Sequence, residues 1–212
     1  MRLHLIGAVA AVLLCALIAA PYAANVGMIG TASPPPLIAS AFLKVADPLG
    51  HGSGVHIGNG YVLTAAHVVG KNKTMTVTDS ERREMAGEVL WANTEYDVAL
   101  IRLPDASYVA TAPLSCAANF PHQRVTVYGN PQDLDFVFTS GDVNGPARKW
   151  AIWRELVPVD ISIIPGQSGG AAIDDNGNVV GIAVGVMIWQ YGLTGQGFIV
   201  PGSVVCQLMG RA

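Results

Sequence analysis

Residues 38–200 consist of short runs of apolar and β-branched residues, separated by glycine, proline and other turn residues. Residues 55–57 and 61–64 flank the sequence Gly58-Asn59-Gly60, a combination typical of a β-hairpin. No long stretch has the apolar spacing of an amphipathic helix. The chain holds 24 glycines and 13 prolines, and only 13% of its residues are charged. This composition suits strands joined by turns. The sequence therefore predicts an all-β barrel or sandwich.

The N-terminal residues have a different character. After Arg2 and His4, no charged side chain occurs before Lys44, and residues 5–20 are all apolar or small. A short basic start followed by an apolar centre is typical of an export signal. We therefore expect the folded part of the protein to lie outside the cytoplasm, either secreted or periplasmic.

The apolar start also fits a segment that stays attached to the protein. A cut after Ala24 or after the preceding residue would put Tyr22 or Pro21 at a position where signal peptidase prefers a small residue. The run is also nearly long enough to cross a bilayer. Residues 1–24 are thus a candidate signal peptide or membrane anchor, with membrane association through residues 3–24. A buried N-terminal helix is the third alternative.

The remaining chain divides into a linker and two sets of strands. Residues 25–37 contain glycine, serine and proline without periodicity, which predicts a linker. We expect residues 38–118 to form one β-domain and residues 119–212 a second one. A short C-terminal helix is expected to end at Leu208, with Ser203 as its candidate N-cap.

Charge and cysteine content narrow the possible partners. The formal net charge is −3, and no basic stripe indicates nucleic-acid binding. No cluster of histidine and cysteine has metal-ligand spacing, and the acidic turn at residues 174–176 is better explained as a hairpin. We therefore expect no metal or other cofactor. Export would permit a disulfide between Cys116 and Cys206, and two unpaired buried cysteines remain the alternative.

One glycine-rich turn contains a candidate nucleophilic serine. Residues 165–170 read Pro-Gly-Gln-Ser-Gly-Gly and present Ser168 on a tight turn. A nucleophilic serine needs a base that takes its proton and a carboxylate that orients the base. His67 ends the sequence Thr-Ala-Ala-His, and Asp97 opens the apolar run at residues 97–101. Together they predict a catalytic triad of His67, Asp97 and Ser168.

Each role has alternatives in the same chain. A serine in a structural turn, a satisfied core histidine and a solvated turn aspartate are the ordinary explanations of such residues taken singly. The other candidate bases are His4, His51, His56 and His122, and the other candidate carboxylates are Asp135, Asp142 and Asp160.

Several segments together resemble the trypsin-like (chymotrypsin-fold) serine endopeptidases, and most closely their bacterial HtrA/Deg-type branch. The matching segments are residues 52–54, 58–61, 63–69, 97–101, 125–131, 166–170 and 197–201. The resemblance implies two packed six-stranded antiparallel β-barrels with the site between them. It also implies that His67 and Asp97 come from the first barrel and Ser168 from the second. The chain stops soon after the second barrel, so no PDZ domain is expected.

The resemblance also assigns the oxyanion hole and the pocket for the residue before the cleaved bond, called P1. The backbone amides of Gly166 and Ser168 would bind the oxyanion. The candidate S1 residues are Ser162, Ala183, Val184, Gly185 and Phe198. An uncharged floor at Ser162 predicts cleavage after apolar, small to medium residues.

The predicted function is therefore a serine endopeptidase that acts on polypeptides through a covalent acyl-enzyme. Two alternatives remain open at this point. One is a catalytically silent barrel that binds peptides or a partner protein, and the other is an esterase that uses the same triad.

Overall fold

A computed structural model describes residues 39–118, 121–189 and 192–210 of the chain. The predicted signal or anchor segment at residues 1–24 and the linker at residues 25–37 lie outside these residues. Within the described part, no helix has the length and apolar character needed to cross a membrane.

The first half of the described chain is a closed six-stranded antiparallel barrel, with the strand order β1-β2-β3-β6-β5-β4. A one-turn helix, α1 (Ala66–Val69), follows the third strand. The strands are β1 (Phe42–Asp47), β2 (Gly50–His56), β3 (Tyr61–Thr64), β4 (Thr74–Thr78), β5 (Glu84–Asn93) and β6 (Val98–Arg102). The predicted hairpin at residues 58–60 is present and joins β2 to β3.

Alternation of apolar and polar residues explains why these strands close on themselves. In β4, Met75 and Val77 are buried, whereas the threonines on either side of Met75 are exposed. The inward side chains of β1 and β3, including Leu43 and Val62, join Ile101 in one apolar cluster. Because side chains alternate between the two faces of a strand, this pattern fills the barrel and leaves the polar residues outside.

The second half is a seven-stranded antiparallel sheet with the order β8-β7-β11-β12-β13-β10-β9. The strands are β7 (Arg124–Gly129), β8 (Val137–Asp142), β9 (Arg148–Trp150), β10 (Trp153–Val159), β11 (Ala171–Ile173), β12 (Val179–Trp189) and β13 (Gly192–Pro201). A β-bridge joins Val143 and Val159, and Asn144 N–H donates to Pro158 O at 3.0 Å. These contacts bring the end of β8 against β10.

The seventh strand is the difference from the predicted six-stranded second barrel. Strand β9 is exposed along its whole length and pairs only with the outer part of β10. The β9–β10 hairpin therefore extends the sheet beyond the ring of six strands that β8 and β10 bring together. The all-β fold itself is confirmed, as is the short C-terminal helix.

The C-terminal helix, α2 (Gly202–Leu208), is fixed covalently to the segment that connects the two halves. Its N-cap is Pro201, so the assignment of Ser203 as the cap is wrong, and Ser203 lies inside the first turn. Cys206 on this helix forms a disulfide with Cys116, with a Cα–Cα distance of 5.7 Å. The pairing that the sequence left open is thus present.

The two halves share one apolar core. Phe42 of β1 stacks on Tyr128 of β7, with ring centroids 3.9 Å apart. Leu63 and Val98 from the first half belong to the same buried cluster as Ile182 from the second. Because this interface is buried and apolar, it holds the two halves together.

Candidate active site

His67 lies in the one-turn helix α1, directly after strand β3. The backbone is extended at Ala65 and turns into the helix at Ala66, and both alanines are buried. This tight transition leaves the His67 side chain 48% exposed. The imidazole is thus anchored by a buried backbone and keeps one edge open to solvent.

Asp97 holds His67 through two hydrogen bonds, one from the imidazole and one from the backbone. Its Oδ2 accepts a hydrogen bond from His67 Nδ1 at 2.7 Å, and its Oδ1 accepts one from the His67 backbone N–H at 2.9 Å. The residue is 3% exposed. Because a carboxylate oxygen only accepts, Nδ1 carries the proton of this bond, and Nε2 of the neutral ring is left as an acceptor.

The backbone at Asp97 has a left-handed conformation, with φ of 59°. Aspartate is one of the few residues with a side chain that adopts this region at low cost. A third donor, the indole N–H of Trp153, reaches Oδ2 at 3.2 Å. The buried carboxylate therefore has all three of these donors arranged around it.

Ser168 lies in the loop between β10 and β11 and faces the same cavity as His67. Its carbonyl oxygen accepts a hydrogen bond from Ser53 N–H at 2.7 Å, which ties the loop to strand β2. Gly169 follows with φ of 85°, and a Cβ there would collide with Ser53 O and Thr64 Oγ1. The glycine after the serine is therefore required for the loop to approach the first barrel this closely. The cavity has a volume of about 660 Å³.

The loop before Ser168 has a defined peptide orientation. Pro165 C=O accepts a hydrogen bond from Gln132 N–H at 3.0 Å. Since C=O and N–H lie on opposite sides of a trans peptide, the N–H of Gly166 points away from Gln132. Gly166 has φ of 95°, and a Cβ there would collide with Asn130 O. Only glycine fits this conformation and this approach.

A buried polar network connects this loop to the first barrel. Ser53 Oγ donates to Gly166 O at 2.7 Å and accepts from Asn130 N–H at 2.8 Å. Asn130 Nδ2 donates to Leu43 O at 3.1 Å, and its Oδ1 accepts from Phe136 N–H at 2.9 Å. Ser53 is 1% exposed and Asn130 is fully buried. Buried polar groups with complete hydrogen bonding fix one arrangement of the backbone that they join.

The comparison with known families agrees with this geometry. A family profile described as a trypsin-like peptidase domain matches residues 52–182, which is more than half of the chain. The chain belongs to the trypsin-like peptidases. The matched segment contains all three predicted triad residues, and also Ser53 and Asn130 of the buried network.

Curated relatives place the protein near one branch of these peptidases. It is 32% identical over 154 residues to a probable periplasmic serine endoprotease, DegP-like, of Halomonas elongata. This alignment covers 71% of this chain and 32% of the relative. It is 29% identical over 200 residues to the periplasmic pH-dependent serine endoprotease DegQ of Escherichia coli, covering 87% of this chain and 44% of the relative. The chain spans less than half the length of these curated relatives.

A solved structure shares the fold. The HtrA-type protease AlgW with a decapeptide superimposes with a TM-score of 0.71 at 22% identity, covering 81% of this chain and 64% of that one. At this identity the superposition shows the chymotrypsin-like fold alone. The curated relatives confirm the resemblance to the HtrA/Deg branch that the sequence motifs indicated.

The predicted S1 residues of this trypsin-like peptidase do not all face the cavity. Gly185 lines it, together with Ile163, Ile164 and Pro165, which the sequence did not indicate as S1 residues. The other predicted S1 residues are Ser162, Ala183, Val184 and Phe198. Ala183, Val184 and Phe198 are buried in the core, and Phe198 stacks against Trp150 at 5.5 Å between ring centroids. Ser162 lies beside Gly195: a Cβ added at Gly195 would be 3.9 Å from Ser162 Oγ.

The alternative histidines have other partners. His56 is buried, and its Nδ1 donates to Ala110 O at 2.8 Å while its Nε2 accepts from Gly60 N–H at 3.1 Å. His51 lines the cavity, where its Nε2 donates to Asn130 O at 2.9 Å. His122 has φ of 65° and donates its backbone N–H to Val143 O at 2.7 Å. His4 lies outside the described residues.

The alternative carboxylates are also engaged elsewhere. Asp135 pairs with Lys44 and Arg82, and Asp142 pairs with Arg124. Burial alone would raise the pKa of Asp135, but the hydrogen bonds from Lys44 and Arg82 outweigh it and hold that pKa below its ordinary value. An oxygen of Asp160 accepts the backbone N–H of Asp142.

The acidic turn has a structural explanation in its hydrogen bonds. Asp174 Oδ1 accepts the N–H groups of Asn176 at 3.0 Å and Asn178 at 2.8 Å, as in an Asx turn. Among the residues that the structure describes, no group of three or more histidine, cysteine and acidic side chains is placed to hold a metal ion.

Proposed function

We propose that the protein is a serine endopeptidase that acts through His67, Asp97 and Ser168. The observation that supports this most strongly is the 2.7 Å hydrogen bond between His67 Nδ1 and Asp97 Oδ2, beside a cavity that both His67 and Ser168 line. Because the chain belongs to the trypsin-like peptidases, the reaction that this arrangement would catalyse is hydrolysis of a peptide bond. A protein that only bound peptides would have no need of an oriented base beside the serine.

In the proposed reaction, Asp97 keeps the proton of the imidazole on Nδ1, so that Nε2 is free to accept one. Ser168 Oγ attacks the carbonyl carbon of the peptide and transfers its proton to His67 Nε2. His67 then gives this proton to the leaving amine as the C–N bond breaks, which leaves an ester on Ser168. Water adds to the ester with His67 as the base, and release of the acid restores the Ser168 hydroxyl.

The backbone N–H groups of Gly166 and Ser168 are the proposed oxyanion donors. The orientation of the Pro165–Gly166 peptide supports this, because its C=O is bound by Gln132 N–H on the opposite side. The hydrogen bond from Ser53 Oγ to Gly166 O also supports this assignment, because it fixes the orientation of the following peptide, Gly166–Gln167. Removal of one such donor costs roughly 3–4 kcal/mol of transition-state stabilisation in other serine proteases.

We further propose a preference for apolar, small to medium P1 residues. Gly185, Ile163, Ile164 and Pro165 form an uncharged part of the cavity wall, and Ser162 offers no charge to a basic side chain. The test is hydrolysis of a peptide panel that varies only at P1, with the Ser168→Ala protein as the blank. Rates for leucine and valine should exceed those for lysine and arginine, and equal rates would contradict the preference.

The proposed substrate is a polypeptide, and the proposed location is outside the cytoplasm. Both named curated relatives are described as periplasmic, and the AlgW structure is described as holding a decapeptide. The Cys116–Cys206 disulfide supports an oxidising compartment, where such bonds persist. The intact mass of the protein from membrane and soluble fractions will show whether residues 1–24 are removed as a signal or kept as an anchor.

A further inference from the structure

We propose that Trp153 is a positioning residue of the catalytic pair, whose indole N–H holds the Asp97 carboxylate from the second half of the molecule. The proposal rests on the proposed function, because it assigns Trp153 a part in orienting His67. The predicted triad does not include it. Trp153 touches neither Ser168 nor the leaving group in this role and acts only through Asp97.

The donors around Asp97 are not equivalent. Oδ2 accepts from His67 Nδ1 at 2.7 Å and from Trp153 Nε1 at 3.2 Å, and Oδ1 accepts from the His67 backbone at 2.9 Å. Two of the three donors therefore belong to the residue that Asp97 must orient. The indole is the donor that belongs to another element, and it fixes the carboxylate relative to strand β10.

The position of the indole is itself secured by the β9–β10 hairpin. Arg154 N–H donates to Glu95 O at 2.8 Å, and the Arg154 guanidinium pairs with the Glu95 carboxylate at 3.1 Å. These bonds align the start of β10 with the loop that carries Asp97. On the other side, Trp150 stacks on Phe198, so the hairpin is attached to the body at both of its strands.

The chemical consequence follows from the properties of the indole. Its N–H is a donor that does not titrate, so it offsets part of the negative charge of Asp97 at every working pH. In a buried site, a hydrogen bond to a carboxylate stabilises the charged form. Without the indole N–H, the negative charge beside His67 would act more strongly on the ring and favour the protonated imidazolium. Since the base must be neutral to accept the serine proton, activity would then be lost at a higher pH.

The test replaces Trp153 with phenylalanine, which keeps an aromatic ring and removes the N–H. We expect kcat to fall about 5- to 20-fold, since a hydrogen bond to a charged group is lost, with KM within about twofold of the wild type. The acid limb of the pH profile should move to higher pH by about half a unit. The matched control is Trp150→Phe, because Trp150 lies on the same hairpin and stacks on Phe198 rather than contacting Asp97.

A second measurement does not depend on catalysis. In the Ser168→Ala background, the His67 ring is followed by NMR as pH is varied, with and without Trp153→Phe. The midpoint for protonation of His67 should be higher without the indole N–H. The other titratable groups near the pair are unchanged in both proteins; they are Asp47, His51, Glu95, Tyr96 and Arg154.

The outcomes separate this proposal from the proposed function. A Trp153→Phe protein with the wild-type midpoint and acid limb would overturn the positioning role, and so would an equal shift in Trp150→Phe. A rate loss with an unmoved midpoint would assign Trp153 to packing alone, which also contradicts the proposal. If wild-type protein fails to hydrolyse any peptide while the NMR shift appears, the proposed function fails and the Trp153–Asp97 bond stands.

Discussion

The two halves of the molecule build their parts of the site in different ways. The closed first barrel carries both His67 and Asp97 and joins them by direct hydrogen bonds. The second half carries Ser168 on a loop whose backbone is bound by Ser53 of the first half. The proposed base is thus oriented mainly within its own barrel, whereas the loop of the proposed nucleophile depends on contacts from its neighbour. Changes in the first half should affect chemistry directly, and changes at the contact should affect the shape of the loop.

The largest effect is expected from Asp97→Asn, which tests the half that orients the proposed base. The amide nitrogen of asparagine can donate where the carboxylate only accepts, so the imidazole would be held in the wrong tautomer. We expect kcat to fall about 10⁴-fold, as in other serine proteases with this change. Steady-state hydrolysis of a cleaved peptide measures it. Asp105→Asn, on an exposed turn, is the matched control and should retain wild-type activity.

Ser53→Ala tests the contact between the halves. It removes the hydroxyl that joins Gly166 O to Asn130 N–H and leaves buried polar groups unpaired. We expect kcat to fall roughly 10- to 100-fold, since the loop of the proposed oxyanion donors loses a support, and stability to fall by about 1–3 kcal/mol. Peptide hydrolysis and urea unfolding measure the two effects.

The control for this change is Ser140→Ala, which removes an exposed hydroxyl that bonds Thr126. It should change neither quantity measurably. If Ser53→Ala lost stability but kept full activity, the loop would hold its shape without the first half, and the difference between the two halves would disappear.

These changes also show what the sequence could and could not predict. The sequence predicted the three triad residues because each lies in a short motif with its own local signal, and the structure places His67 and Ser168 at one cavity with Asp97 bonded to His67. Ser53 and Asn130 lie in two of the matching segments, but their shared network joins residues 77 positions apart, and nothing local indicates the pairing. Trp153 gave no signal at all, because its role depends on how the β9–β10 hairpin folds over Asp97.

The S1 prediction shows the same limit. Glycine at 185 faces the cavity, but Ala183 and Val184 precede it in a strand whose side chains pack in the core. A sequence motif predicts the strand, but it does not show which residues of that strand reach the cavity wall. Ile163 and Ile164 line the wall because the loop before Ser168 turns them there, which is a property of the tertiary fold.

Removal of the disulfide is expected to change stability alone, without a large effect on activity. It closes a loop of 90 residues between Cys116 and Cys206, which limits the freedom of the unfolded chain. The double change Cys116→Ser and Cys206→Ser should lower the free energy of unfolding by about 2–4 kcal/mol. Activity at 25 °C should stay within about twofold of the wild type, because the bond lies outside the cavity lining. Unfolding in urea with and without a reductant measures this loss, and a large loss of activity in the folded protein would contradict the separation.

The smallest effect is expected at an ionic contact between the halves. Asp135 of the second half binds Lys44 and Arg82 of the first, and its pKa lies below the ordinary value of 3.8. Because the folded state favours the charged form, the contact stabilises the protein fully above the unfolded pKa. This contribution is lost as pH falls through the lower folded pKa. Asp135→Asn should therefore cost about 1 kcal/mol at pH 7.

The pH dependence of stability is the control for the Asp135→Asn prediction. The difference between wild type and Asp135→Asn should shrink as pH falls below about 4. Thermal unfolding across pH 2–7 measures it. A difference that stayed constant over this range would show that the charge of Asp135 does not contribute.

The most direct test of the account is the reaction of the purified protein with a fluorophosphonate, which forms a covalent adduct only with an activated serine. Intact-mass measurement of the folded wild type should show one adduct, and peptide mapping should place it on Ser168. Asp97→Asn should react far more slowly, and Ser168→Ala should not react. A folded wild-type protein that gains no adduct, or an adduct that persists in Ser168→Ala, would contradict the assignment of Ser168 as the nucleophile.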